Sequence, residues 1–537
     1  MTYESTARRA GLVVSMVAVM ASALPVAASA NAATGGSSGS GAAPVTAPAS
    51  VSVSVSASAS ATAPAWCPAI GGHRVDCGRL GRPLVTGKPE LGEVKVSYAV
   101  VRHSAPGPAK GTVAVNPGGP GETSVDKAEA FAWGLEGLLK DHDLLLVDPR
   151  GTGASEPVPC GVTDAEYRFG TRAQQRAAVE RCAGNLGPRA AGYASAATAD
   201  DIDAIRAHLG VQKLSLYGLS YGTYLMPVYA SRHPEHVRNI VLSGAFPLAL
   251  DPLARPSAQA VSLSLRRVCE RSVPVACDGR QAVKDLATTA ARLRGRPITV
   301  PITTDHGVYK KRFTEDKLAN LVFEAASSQV GFEPDKPSLL GQLPHALDRF
   351  VKGDAAPLRK LVQEEGKTGS TVDQAPYIAV TCNDYRKAWS KDAPLPERWR
   401  QYNAALAAVR PGEHGAFSAK GFTEGTTDAG DVCIGWPREN TPGPQPTKPE
   451  LPDVPVLVLS GDLDANTPDA SGKKAAEQFR NSRFFSARNM GHVPELEQSR
   501  CVTGVSSHFL RTGEPGDTSC MRALPPITVA PVGPVRD

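Results

Sequence analysis

The chain reads as an α/β fold: a mostly parallel, doubly wound sheet interrupted by a large, mainly helical cap insertion. Three observations predict it. Short apolar runs, LLLV at 144–147, LSLY at 214–217 and NIVL at 239–242, suit strands covered on both faces. Segments with helical spacing alternate with them, as parallel βαβ units require. The rhythm lapses near Pro247 and returns near Pro449, so one sheet is split by an insertion of about 200 residues.

Taken in order, VKVSYAVVRH (94–103) and GTVAVNPGG (111–119) read as strands, the second ending in a glycine turn. Residues 124–142 have helical spacing with a good start at Ser124. DLLLVDPRGTGAS (143–155) is a strand and loop, and TADDIDAIRAHLG (198–210) is a helix closed by Gly210. KLSLYG (213–218) is a strand, YGTYLMPVYASRHP (221–234) a helix and RNIVLSGAFP (238–247) another strand. Residues 256–272 and 339–354 look like amphipathic helices of the insertion. Beyond it come the strand 454–464, the helix 469–479, the strand 483–492 and a last helix at 504–513. The expected organisation is therefore a leader at 1–30, a linker at 31–65, a core at 66–246, a helical cap at 247–449 and the rest of the core at 450–537.

Composition narrows the class. A hydrophobic content of 42% over 537 residues supports a large core, and a net charge of +5 with no Lys/Arg-rich block excludes a nucleic-acid partner. Arg8 and Arg9, the apolar run 10–26 and the small residues Ala28-Ser29-Ala30 form a secretory signal pattern. Pro25 breaks that run, which is short for a bilayer span, so no stable membrane partner is expected. The Ala/Ser/Gly-rich tract that follows fits a disordered tether. An exported, extracellular chain agrees with ten cysteines: Cys67, Cys77, Cys160, Cys182, Cys269, Cys277, Cys382, Cys433, Cys501 and Cys520. Pairing sequential neighbours is the simplest connectivity, and Cys382 with Cys433 would brace the cap against the core. No C-x-x-C pair occurs, so neither a structural zinc nor any other metal or cofactor is expected.

Two stretches fit Gly-x-Ser-x-Gly. Gly35-Gly36-Ser37-Ser38-Gly39 lies in the tether and has no strand or helix beside it. Gly218-Leu219-Ser220-Tyr221-Gly222 ends a buried-type strand and opens a helix, with glycines where the two crowd. Ser220 is the candidate nucleophile, and a serine hydroxyl needs a base. Partners in the order Ser, acid, His follow at strand ends: Asp464, preferred over Asp462 in the first turn, and His492 in a Gly-His turn. Oxyanion donors are expected from the N–H of Tyr221 and from the glycine loop NPGGPGETS, where Gly119 is preferred and Gly118 is the alternative.

NPGGPG, VDPRGTGAS, GLSYGTYL, GDLDANTP and MGHVP occur in that order. As a set they resemble the secreted tripeptidyl aminopeptidase and proline iminopeptidase family of α/β-hydrolase serine peptidases, as do CND at Cys382 and CIGWP at Cys433. The resemblance spans about Trp66 to Cys520. It implies an α/β-hydrolase fold, Ser220, Asp464 and His492 as triad, a helical cap, and release of short N-terminal fragments from peptides with a free N-terminus. The glycine loop departs from the family where Glu122 and Thr123 follow Gly121. Glu122 either binds a substrate ammonium or caps the next helix, the second being preferred. A cap carboxylate would also serve, with Glu324, Asp335 and Asp384 as candidates. The alternatives are a carboxyl-ester hydrolase on the same triad and an inactive binding protein on a hydrolase scaffold.

Overall fold

The computed structural model of the chain describes residues 63–533 except 305–306, 328–329, 368–371 and 438–443. The expected leader and nearly all of the tether, at 1–62, lie outside the described residues. The first six strands are β1 (Val75–Pro83), β2 (Glu93–Val101), β3 (Gly111–Asn116), β4 (His142–Val147), β5 (Leu214–Leu219) and β6 (Val237–Ser243). A separate antiparallel hairpin, β7 (Ile298–Thr304) and β8 (Gly307–Phe313), precedes β9 (Val456–Gly461) and β10 (Ser482–Ala487).

Eight of these strands form one sheet in the order β1-β2-β4-β3-β5-β6-β9-β10. The β1–β2 and β2–β4 pairs are antiparallel, and every pair from β4 to β10 is parallel. Strands β4, β5 and β9 are buried at every residue, which is why their sequences are apolar runs rather than alternations. Each buried Leu or Val there contributes about 1.5–3 kcal/mol. The sheet is covered by α1 (Ala128–Gly134), α2 (Arg172–Leu186), α3 (Ser195–His208) and α4 (Gly222–Arg232), among others. Helix α2 starts on a reciprocal capping box between Thr171 and Gln174.

The structure differs from the sequence expectation in three places. The helix expected over 124–142 is only α1 plus a 3₁₀ turn at Leu138–Lys140, because the N–H groups of Ser124 and Val125 turn onto the Asp148 carboxylate instead. Strand β1 and helix α2 were not expected at all. The insertion does not pack as one body. Apolar residues between 258 and 362, including those of α5 (Glu315–Ala325) and part of the hairpin, form one cluster together with Phe417, Phe422, Leu463 and Ala465. Apolar residues of α6 (Gln374–Asp384), Tyr385, Trp389, Tyr402 and those between 432 and 436 belong instead to the cluster that lines one face of the sheet.

All ten cysteines are paired as sequential neighbours. Cys382–Cys433 joins two segments of the insertion rather than cap to core. The tie to the core is made by neighbouring polar groups. Asn383 Nδ2 donates to the Ala190 and Tyr193 carbonyls, and Arg172 of α2 donates to Asp431 and to the Thr426 and Ala429 carbonyls. Replacing Cys382 and Cys433 together by Ser frees a loop of 51 residues. By chain entropy this lowers stability by about 4 kcal/mol, read as a drop in the denaturant midpoint with a slope equal to or steeper than the parent's, because the denatured chain is freed to expand.

Candidate active site

The sheet's parallel strands all end on one edge, and the five motif segments follow those ends. Ser220 stands in a left-handed backbone conformation (φ 53°) between β5 and α4. Gly218 and Gly222 allow this turn: a Cβ on the first would collide with the Gly222 carbonyl, and one on the second would come 2.7 Å from the Asn116 carbonyl. The Ser220 N–H donates to the Ser243 carbonyl at the end of β6 (2.9 Å). Ser220 is half-buried, and its hydroxyl makes no hydrogen bond to any described residue.

His492 donates from Nδ1 to Asp464 Oδ2 (2.8 Å). Asp464 is further held by the N–H groups of Asn466 (2.7 Å) and Thr467 (3.1 Å) and by the Thr467 hydroxyl (2.6 Å), which also lies 3.0 Å from His492 Nδ1. Asp462 is spent elsewhere, on the Asn489 N–H and the Arg271 guanidinium. Burial by itself would lower the His492 pKa, but the Asp464 charge and hydrogen bond outweigh it, and the value stands above the ordinary 6.5. His492 Nε2 is buried with no hydrogen-bond partner. No hydrogen bond joins Ser220 and His492 in this arrangement, as is common before a substrate aligns nucleophile and base. The two residues still meet one strand end, since a Cβ on Gly244, next to Ser243, would lie 2.9 Å from His492 Cε1.

The glycine loop closes over Ser220. A Cβ on Gly118 would come within 2.7 Å of the Ser220 Cβ. The Gly118 N–H is committed to Asn116 Oδ1 (3.2 Å), whereas those of Gly119 and Tyr221 find no acceptor among the described residues. The far end of the loop is pinned by Asp148, a buried carboxylate of the VDPRGTGAS segment. It accepts from Thr123 Oγ1, from the Ser124 and Val125 N–H groups and from the Ala154 N–H, at 2.8–2.9 Å. Glu122 does not cap α1; it pairs with Lys127 (2.6 Å).

Three side chains of consequence were not picked from the sequence. Thr467 is one, legible only as a hydroxyl three residues beyond the acid. Glu495, three residues after His492, is buried beneath the site and accepts from Ser243 Oγ and from Ser506 Oγ (3.2 Å), and burial raises its carboxyl pKa. It links the His492 loop to the strand end that holds the Ser220 N–H. Asp428, with Phe246, Phe323, Thr426 and Asn466, lines a cleft beside the Asp464 loop. Of the candidate cap carboxylates, Asp384 is buried and bound by Ser195 and Gln445, and Asp335 is exposed. Glu324 is half-buried, interacts electrostatically with His492, and has no hydrogen-bond or ion-pair partner among the described residues.

A family model described as the alpha/beta hydrolase fold matches residues 111–272, and one described as TAP-like protein matches residues 420–520. The chain has the α/β-hydrolase fold, and its carboxy-terminal region is similar to TAP-like proteins. The hydrolase is 26% identical over 468 residues to serine protease Hip1 of Mycobacterium tuberculosis, covering 81% of this chain and 85% of that protein. It is 25% identical over 495 residues to the tripeptidyl aminopeptidase of Streptomyces coelicolor, covering 83% of each. It is 27% identical over 486 residues to carboxylesterase B of M. tuberculosis, covering 84% and 86%. The similarity to a tripeptidyl aminopeptidase and to a serine protease thus extends over most of the chain.

Two outcomes follow from this geometry. Because Asp464 raises the His492 pKa, the neutral imidazole is lost as pH falls through a value above 6.5, and kcat/KM should fall with it. Asp464→Asn should move that acid limb to lower pH and reduce kcat by about 10⁴-fold. Glu495→Ala leaves the Ser243 and Ser506 hydroxyls without their buried acceptor. It should cost about 2–4 kcal/mol in urea unfolding, most of it recovered in Glu495→Gln.

Proposed function

We propose that this hydrolase is an exported serine aminopeptidase that releases short N-terminal fragments, of tripeptidyl or prolyl type, from peptides. Ser220 Oγ attacks the scissile carbonyl and His492 Nε2 takes its proton. Asp464 holds the ring through Nδ1 and stabilises the imidazolium. The N–H groups of Gly119 and Tyr221 receive the developing oxyanion. His492 then protonates the leaving amine, and water, activated by the same ring, hydrolyses the acyl-enzyme. The disulfides and the leader pattern support export.

The observation that carries the peptidase reading is Glu324. Burial pushes its carboxyl up to about 7, the Glu365 charge adds to this against the opposing charges of Arg168 and His492, and no cation among the described residues makes an ion pair with it. Such a carboxyl gains most from a ligand that brings its own positive charge, and a peptide N-terminus does so. Glu324 sits in the last turn of α5. Just beyond it, the Ala326 and Ser327 carbonyls accept the N–H groups of Ala465 and His492. An ammonium held at Glu324 would place the start of the peptide a short, fixed span from Ser220. The carboxylesterase relative favours the second reading, an ester hydrolase on the same triad, but an ester's acyl chain brings no ammonium and gains nothing from Glu324.

Peptidyl amides with a free N-terminus should be cleaved more than tenfold faster than their N-acetylated counterparts, a difference of about 1.4 kcal/mol or more. Glu324→Gln should raise KM for the free-amine substrates by about 10–100-fold and leave hydrolysis of a short-chain ester unchanged. Equal rates on free and blocked peptides, or turnover confined to esters, would move the assignment to the ester hydrolase.

A further inference from the structure

The opposite edge of the sheet, where the strands begin, carries a cluster that the hydrolytic reading does not use. The helices α3 and α4 end there side by side. Asp203 lies in the last two turns of α3, His233 caps the end of α4, and His236 closes the 3₁₀ turn Pro234–His236 just before β6. His236 follows His233 at a spacing of three, in the sequence HPEH, and the two rings stack with centroids 6.1 Å apart and planes within 11°. Both Nδ1 atoms face Asp203: that of His236 is 2.7 Å from Oδ1, and that of His233 is 3.6 Å from Oδ2.

We propose that Asp203, His233 and His236 form a binding site for a divalent cation of the zinc class. The three donors, two imidazole nitrogens and a carboxylate oxygen, all lie within 4.8 Å of one another. Tetrahedral zinc with bonds of about 2.0–2.2 Å needs donors about 3.3 Å apart, and His233 Nδ1 stands close to that spacing, 3.6 Å from Asp203 Oδ2. A mixed nitrogen and oxygen set suits zinc better than calcium or magnesium, which take oxygen alone. The rings are also oriented from outside, as metal-bound histidines are. His233 Nε2 meets Asp200 (3.0 Å), and His236 Nε2 lies 3.4 Å from Glu235. The three ligand side chains keep between 15 and 26% of their surface exposed, so a metal has a path in and a place for a water ligand.

Asp203 has other partners that any metal must share. Arg206 donates Nε to Oδ1 (2.7 Å) and Nη2 to Oδ2 (3.3 Å), and the Tyr229 hydroxyl donates to Oδ1 (2.9 Å). Arg206 Nη2 also reaches His236 Nε2 (3.4 Å), and Arg232 pairs with Asp200. Oδ1 thus already takes Arg206 and Tyr229, while Oδ2 has one weak bond and faces His233, which makes Oδ2 the metal-facing oxygen; His236 Nδ1, now against Oδ1, would give up its proton and that contact to the metal. Asp200, Asp203 and Glu235 offset the charge that a cation adds to the two arginines. The site would tie the ends of α3 and α4 to the start of β6. It lies a full strand, seven residues or about 20 Å, from Ser243 at the catalytic edge, so its role is structural.

The test is zinc binding to the full, tag-free chain after dialysis against EDTA, followed by calorimetry and by mapping of histidine modification with diethylpyrocarbonate. The expected result is one zinc per chain, with His233 and His236 protected by zinc while the exposed His208 reacts as before. His233→Ala and His236→Ala should each weaken binding by about tenfold or more, and His208→Ala should not. The protection experiment needs no variant and stands even if a substitution unfolds the chain. Absence of saturable binding, zinc binding that leaves both histidines reactive, or parent affinity in either variant would overturn the site and leave an ion-pair network only.

Discussion

A non-glycine residue held in the left-handed backbone region costs about 1–3 kcal/mol, and Ser220 is held there by everything around it. Strand β5 fixes the chain before the turn and helix α4 fixes it after. The Ser243 carbonyl, one strand over, fixes the N–H between. Once that turn is set, the rest of the site follows from it. The hydroxyl projects off the sheet edge, the helix dipole of α4 points at the same spot, and the glycine loop must pass close enough that Gly118 has no room for a side chain. Neighbouring parallel strands then deliver Asp464 and His492 to the same edge, because all of them run in one direction.

Much of this was legible in the sequence because it depends on short-range signals. An apolar run followed by Gly-x-Ser-x-Gly states a buried strand, a tight turn and a helix within a dozen residues. The Gly-Asp and Gly-His turns state strand ends. Asp462 and Asp464 were separable only by position in the turn. The structure separates them by partners, a backbone N–H and an arginine for one and an imidazole for the other. What the sequence hid depends on long-range packing. Glu495 reads as an ordinary acidic residue in a proline-containing turn, and only the arrival of β6 and the helix Cys501–Thr512 turns it into a buried acceptor. The HPEH stretch reads as a helix end, and Asp203 comes to it from 30 residues earlier.

The motifs at Cys382 and Cys433 carried the family resemblance without revealing their purpose. In the fold they are fastenings. Trp436 Nε1 donates to Asn383 Oδ1, Asn383 donates to two carbonyls before α3, and Asp384 binds both the N–H and the hydroxyl of Ser195. Tyr221, the residue after Ser220, joins the same network through its hydroxyl at Ser195 (2.7 Å). Asp384 was therefore a misleading candidate for an ammonium: it is already spent within a network whose other end touches the turn at Ser220.

The last turn of α5 hands one carbonyl to Ala465, beside Asp464, and the next to His492 itself. A roof stitched to the floor at both of these points is not a hinged lid. Swinging it away would break both contacts and disturb the hydrogen bond between Asp464 and His492. The cleft that Phe246, Phe323 and Asp428 line is thus bounded by a segment anchored on both sides of the Asp464–His492 pair.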